Sequence, residues 1–181
     1  MKKIYAAIAI VVMLAVSPGA KAQAISSEDL KTQLVKDWER AKKYTDAYLE
    51  VMPASRYSAK IVDSIRTFSE QMLHLALANI SLVSTGTGAQ RIFPGFNMEK
   101  SAGAQSKDSV TYYVNASYDY AINAIKNMDA AQLGEHVKRG GLDETKFSWL
   151  NKAFEHQTHH RGQCTIYIRL QGVKPPNEML F

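Results

Sequence analysis

The apolar residues recur at steps of three and four along most of the chain, and this helical period is the feature that most restricts its fold. The first stripe begins at Leu30 and continues through Leu34, Trp38, Ala41, Thr45, Tyr48 and Met52. Ser27 is the expected N-cap, and Glu28 and Asp29 follow it in the first turn. Pro53 ends the stripe, because proline disfavours helix in the residue before it. The pattern predicts an amphipathic helix of about six turns.

Three further segments have the same period. The second predicted helix spans about 63–83, the third begins near Asp108, and the fourth is capped by Asp143 and ends near Gly172. Residues 84–108 form a long loop between the second and third helices, and Gly140-Gly141 interrupts the chain before the fourth. No alternating strand pattern is present. The sequence predicts an all-α fold, a four-helix bundle without a sheet.

The N-terminus has the pattern of a secretory signal peptide. Lys2 and Lys3 precede an apolar run from Ile4 to Val16, and an Ala-x-Ala cleavage signal ends at Ala22. Thirteen apolar residues are too few to span a bilayer comfortably. We therefore predict that residues 1–22 are removed, that 23–181 form a single domain, and that the mature protein is periplasmic or secreted without a stable membrane anchor.

The charge and the cysteine count exclude several classes of function. Loss of Lys2, Lys3 and Lys21 with the signal peptide lowers the formal net charge from +5 to +2. The mature chain has no dense cluster of lysine and arginine, so we expect no nucleic-acid partner. Cys164 is the only cysteine, which excludes an intrachain disulfide and a CxxC zinc site.

Two histidines on the fourth predicted helix have the spacing of metal ligands. His156 and His160 are at i and i+4, and both fall on or beside the apolar stripe of that helix. Such a pair can hold one transition metal if a facing helix supplies another ligand. His74 is the only histidine on the first three predicted helices, but the helix around it is apolar on most sides, so periodicity alone does not place it inward. A neutral, hydrogen-bonded core role is the alternative for all three.

The residues around these histidines resemble a known family. The stretch His156-Gln-Thr-His-His-Arg-Gly-Gln163, followed by the stretch Tyr167 to Pro176, resembles the C-terminal signature of the DinB-like (DinB/YfiT-like) family. The segment Phe68–Asn79 resembles the second helix of that family, and Met52-Pro53 with Tyr57 resembles its first connector. The resemblance extends from about Leu30 to Pro176.

The resemblance implies a bundle with up-down-down-up connectivity that is often dimeric. It also implies a divalent metal held by His74, His156 and His160, and it is this implication that places His74 in the site. In this chain Leu77 replaces an acidic residue that the family often has after the helix-2 histidine. Imidazole ligands suit zinc best here, and nickel is the second choice.

Three functional hypotheses are compatible with such a site. Three histidines leave coordination positions open, which is the catalytic pattern, so one hypothesis is a metal-dependent hydrolase or thiol transferase acting on an unknown small molecule. Catalytic side chains other than the ligands are not identified by the sequence. A second hypothesis is a non-catalytic metal- or ligand-binding bundle acting as a homodimeric interaction protein, and a third is a plain structural bundle. Gln157, Gln163, Tyr167 and Glu155 are the candidates for orienting the rings.

Overall fold

The computed structural model describes residues 24–181, and the predicted signal peptide lies outside the described residues. Four long helices make up most of this part of the chain. They are α1 (Ser27–Val51), α2 (Phe68–Thr87), α3 (Lys107–Asn127) and α4 (Lys146–Leu170). Short 3₁₀ turns lie at Ala54–Arg56, Ala102–Ala104 and Ala130–Gly134. The predicted helical bundle is confirmed.

The helix ends follow local capping chemistry and differ from the predicted ends by a few residues. Ser26, not Ser27, caps α1, and its side chain and that of Asp29 form a reciprocal capping box. The second helix begins at Phe68 rather than near residue 63, because Thr67 and Glu70 form the same box there. Thr145, not Asp143, caps α4.

Contacts between the helices define the connectivity. α1 and α3 are antiparallel: near one end Lys31 Nζ donates to the Met128 carbonyl at 3.1 Å, and near the other Lys107 Nζ donates to the Glu50 carbonyl at 2.8 Å. α1 and α4 are parallel. Trp38 on α1 packs edge-on against Phe154 on α4. Further along both helices, the Tyr48 hydroxyl lies 2.9 Å from Thr165 Oγ1.

The other two helix pairs complete an up-down-down-up bundle. α2 is antiparallel to α4, since Gly86 near the end of α2 lies against Leu150 near the start of α4. α2 is parallel to α3, since Ser69 and Asn79 on α2 bond to Gln105 and Ser117, in that order along the chain. Parallel neighbours require a connection that returns along the whole helix, about 30 Å. The segment 88–106 makes this return; it lies within the predicted loop of residues 84–108, whose first residues instead extend α2 to Thr87.

The expectation that the chain has no sheet is wrong. β1 (His136–Arg139) and β2 (Leu142–Thr145) pair as an antiparallel hairpin. The hairpin turn is Gly140-Gly141, and both glycines have positive φ, 59° and 84°, as a two-residue primed turn requires. The strands are mostly exposed, so they lack the apolar alternation that identifies a strand in sequence.

The core lies between the four helices and contains both apolar and polar side chains. Trp38, Phe68, Tyr118 and Leu150 are fully buried in it. Cys164 is also buried, as predicted, and burial raises the pKa of its thiol. Within the described part of the chain, no helix is both long and apolar enough to cross a membrane.

Candidate metal centre

Three histidines from two helices meet between α2 and α4. One nitrogen each of His74, His156 and His160 lies within 4.8 Å of the other two. The Nε2 atoms of His156 and His160 are 3.1 Å apart, and the His74 ring centroid is 4.6 Å from that of His160. The site therefore brings together the three residues that the family resemblance implied.

Helix geometry and helix packing make different contributions to this cluster. His156 and His160 are one turn apart on α4, so local geometry places both rings on one face of the helix. His74 reaches them because α2 packs directly against α4. The remaining two histidines are exposed. The His159 ring lies 5.1 Å from that of His160, at the edge of the cluster, and His136 lies on β1, where its side chain contacts Asp143.

The donor set fits a divalent transition metal. Two nitrogens bound to one zinc at 2.0–2.1 Å and a tetrahedral angle are about 3.3 Å apart, close to the spacing of the His156 and His160 nitrogens. Burial, and then the neighbouring histidines, lower the pKa of His156 to about 4 and that of His160 to about 3. Both rings are therefore neutral near pH 7, which is the protonation state that binds a metal.

A carboxylate from the long loop orients the His74 ring. Glu99 Oε2 lies 2.9 Å from His74 Nδ1, and Glu99 Oε1 accepts a hydrogen bond from Arg66 Nε at 2.8 Å. Burial raises the pKa of Glu99, but its bonds to Arg66 and His74 outweigh burial and hold it below the ordinary value. An ionised carboxylate only accepts, so Nδ1 of His74 has the proton and Nε2 is free to bind a metal.

A chain of side-chain amides lies against the rings on α4. The Gln71 amide is 2.9 Å from Nδ1 of His160 and contacts Gln163, whose own amide is 2.9 Å from His159 Nε2. This leaves Nε2 of His160 directed at His156. The Nδ1 atom of His156 is buried and has no hydrogen-bond partner among the described residues.

The predicted orienting residues are mostly wrong. Gln163 reaches the site through Gln71, but Gln157 is bonded to Tyr118 on the other side of α4. Glu155 is exposed and paired with Lys152.

Tyr167, the fourth candidate, donates to the Arg66 carbonyl rather than to a ring. Glu99 and Gln71, the residues that do contact the rings, were missed. Glu99 is far from the histidines in sequence and no local pattern points to it. Gln71 is one turn before His74, so its spacing on α2 was an available signal.

An open cleft of about 650 Å³ borders the centre. Its wall includes Gln71, Glu99 and Gln163, which contact histidines, although the three clustered histidines themselves do not line it. The rest of the wall is mostly basic and apolar, with Lys60, Arg66, Lys100, Ile61, Ile65, Ile166 and Tyr167, and it also includes Ser64 and Glu70. A small molecule in this cleft would lie next to the residues that hold the rings.

Sequence comparison matches this arrangement to one family. The model of the DinB family matches residues 26–179, nearly the whole described chain. The chain belongs to the DinB family. No protein with a curated description matches it significantly in sequence.

Two solved structures of DinB-like proteins share the fold. One, from Bacillus cereus ATCC 10987, has a TM-score of 0.69 and 20% identity, covering 80% of this chain and 95% of its own. The other, YjoA from Bacillus subtilis, has a TM-score of 0.63 and 16% identity, covering 82% of this chain and 96% of its own. At these identities the likeness establishes the DinB fold alone.

Proposed function

We propose that this DinB-family protein is an exported, metal-dependent enzyme whose substrate is a small molecule bound in the cleft beside the histidines. The observation that supports the proposal is the cluster of His74, His156 and His160, two of them held neutral and one oriented by Glu99. Three protein ligands are the usual number in catalytic zinc sites, whereas structural sites use four.

A divalent ion bound there would supply Lewis acidity and lower the pKa of a bound water. The chain's own residues do the positioning. Arg66 holds Glu99, and Glu99 keeps the Nδ1 proton on His74, so that the ring presents Nε2 inward. Gln71 limits rotation of the His160 ring from the other side. Zinc is the proposed metal and nickel the second choice, because both accept imidazole nitrogen readily.

Hydrolysis is the favoured reaction, and transfer of a small-molecule thiol is the other chemistry that such a site supports. Cys164 is fully buried, so the protein offers no thiolate of its own. A thiol transferase would need an external thiol, and reduced thiols are scarce outside the cytoplasm. The proposed location, periplasmic or secreted, rests on the signal-peptide pattern of residues 1–22.

The test begins with metal content. The mature protein is purified without a histidine tag and its metals are measured by elemental mass spectrometry, for the wild type and for His160→Ala. We expect about one zinc or nickel per chain, lost in the variant. His136→Ala is the matched control, because His136 is exposed on the hairpin and, among the described residues, its side chain hydrogen-bonds only to Asp143.

The second step is a panel of ester, amide and thiol-conjugation substrates. Metal-dependent turnover that is lost in His160→Ala and kept in His136→Ala supports the proposal. If the purified protein has no transition metal and takes up none on reconstitution, the proposal fails. Intact-mass analysis of protein exported from a bacterial host tests the location separately, since the mature chain should begin at Gln23.

One observation favours a non-catalytic alternative. Both acidic residues of the cleft are already engaged: Glu99 by Arg66 and His74, and Glu70 by the Thr67 amide and Lys100. Neither is free to act as an acid or base. A bundle that binds metal tightly but turns over no substrate, and that forms a stable homodimer, would support this alternative.

A further inference from the structure

A buried arginine without an acidic partner lies on the opposite side of α4 from the metal centre. Arg161 is only 5% exposed. Among the described residues, no carboxylate forms a salt bridge with it. An arginine cannot lose its charge at accessible pH, and a buried charge is costly unless it is paired.

The groups that Arg161 contacts directly are neutral. Its Nη1 donates to Gln157 Oε1 at 2.8 Å and lies 3.4 Å from Thr45 Oγ1, and its guanidinium stacks 4.5 Å from the centre of the Tyr44 ring. Burial, and then its Tyr48 neighbour, raise the pKa of Tyr44 to about 12, so this phenol does not supply a negative charge. The other two guanidinium nitrogens form no hydrogen bond with any described residue.

Arg161 lines a cavity of about 250 Å³. Arg40 lines the same cavity, but its charge is paired with Asp37, 3.1 Å away on α1. The C-terminal segment covers one side, and it is tied down by Arg40 Nη1, which donates to the Met179 carbonyl at 2.7 Å. Glu178 also lines the cavity but forms no ion pair with either arginine. Among the described residues, Arg161 is thus the one arginine of this cavity that no carboxylate pairs with.

We propose that this cavity binds a small organic carboxylate, with the Arg161 guanidinium as its main contact. A planar carboxylate matches the free edge of a guanidinium, which can donate two parallel hydrogen bonds. The rings of Tyr44 and Phe154 give the cavity apolar walls, which favour an organic anion over phosphate. The volume is below that of pockets for drug-sized ligands, roughly 300–1,000 Å³, so the ligand is small. The site is independent of the proposed enzymatic function.

The test is an NMR titration of the ¹⁵N-labelled mature protein with sodium propionate. The readout is the Nε–Hε signal of Arg161, assigned by its absence from Arg161→Met. We expect a saturable shift with propionate, no shift with sodium chloride at equal ionic strength, and at least tenfold weaker binding of inorganic phosphate. Arg169→Met is the matched control, because Arg169 is exposed at the end of the same helix and its loss should leave propionate binding unchanged.

Two further variants keep the result interpretable. His74→Ala should retain the propionate shift, which separates this cavity from anion binding at the metal. Arg161→Lys keeps the positive charge but lacks the two parallel N–H donors of the guanidinium, so it should weaken propionate binding at least tenfold. A wild-type Arg161 signal that does not respond to propionate would overturn the proposal. So would binding that appears only in Glu178→Gln, since the chain's own carboxylate would then be the occupant.

Discussion

The carboxylate of Glu99, from the loop between α2 and α3, lies 2.9 Å from Nδ1 of His74 in the middle of α2. The contact gives the His74 ring a carboxylate partner from the loop, whereas position 77, one turn further along α2, is a leucine. The long loop that links two parallel helices returns to the start of α2 and places its own carboxylate against the ring. Arg66, just before α2, holds the other oxygen of the same group.

Glu99→Gln should weaken metal binding by about 10–100-fold while the bundle stays folded. The amide is a weaker acceptor for the His74 proton, and the charge that pairs with Arg66 is lost. Competition with a chelator measures the affinity, and circular dichroism checks the fold. Glu155→Gln is the control, because Glu155 is exposed and pairs only with Lys152. Equal zinc affinity in Glu99→Gln and the wild type would show that this contact does not support the site.

The metal-free protein should lose stability as the pH falls from about 6.5 to 5. The pKa values of His156 and His160 are about 4 and 3 in the folded state, below the ordinary 6.5, chiefly because of burial. In this window the unfolded chain binds protons that the folded chain excludes, so acid favours unfolding. The slope is at most about 1.4 kcal/mol per pH unit for each ring. Urea unfolding across this range measures it.

The control for that experiment is the double variant His156→Gln/His160→Gln. Without the two buried rings, most of the slope between pH 6.5 and 5 should disappear. Glu99 contributes little to the slope in this pH range, because its lowered pKa affects stability only below about its ordinary value of 4.5. A double variant that keeps the full slope would place the responsible groups elsewhere.

Two glycine-to-alanine changes should have opposite effects on stability. A Cβ on Gly86 would lie 3.0 Å from Leu150 Cγ and 3.1 Å from the Lys146 carbonyl, where α2 packs against α4. Gly86→Ala should therefore cost about 1–3 kcal/mol. A Cβ on Gly162 meets nothing within 4 Å, so Gly162→Ala should stabilise α4 by about 0.5–1 kcal/mol. Urea unfolding gives both values. If Gly86→Ala left the free energy of unfolding unchanged, α2 and α4 could move apart at this point without loss of stability, which would contradict the prediction.

Tyr118→Phe should lower the free energy of unfolding by about 1–3 kcal/mol. The fully buried hydroxyl of Tyr118 donates to Gln157 Oε1 at 2.8 Å and lies 2.7 Å from Thr45 Oγ1. Its removal leaves buried polar atoms with fewer partners. Tyr112→Phe is the control, because Tyr112 is on the same helix but 60% exposed, and it should change stability little. Equal denaturation midpoints for the two variants would contradict the prediction.

Local physics explains what the sequence predicted well. A helix is specified by residues within one or two turns, so apolar period and caps located all four helices to within a few residues. The i, i+4 spacing likewise placed His156 and His160 on one face of α4. The hairpin was missed because its short strands are exposed, and an exposed strand has no apolar alternation to detect.

Contacts between distant segments decided the rest. Whether His74 faced the α4 histidines depended on how α2 packs against α4, since α2 is apolar on most of its surface. Glu99 reached His74 only because α2 and α3 are parallel and the loop must return along the bundle. Arg161 followed the metal motif in sequence but became a buried cation beside a second cavity. The sequence by itself determined the helices and the histidine pair. Only the tertiary structure determined their partners, because long-range packing sets which side chains meet.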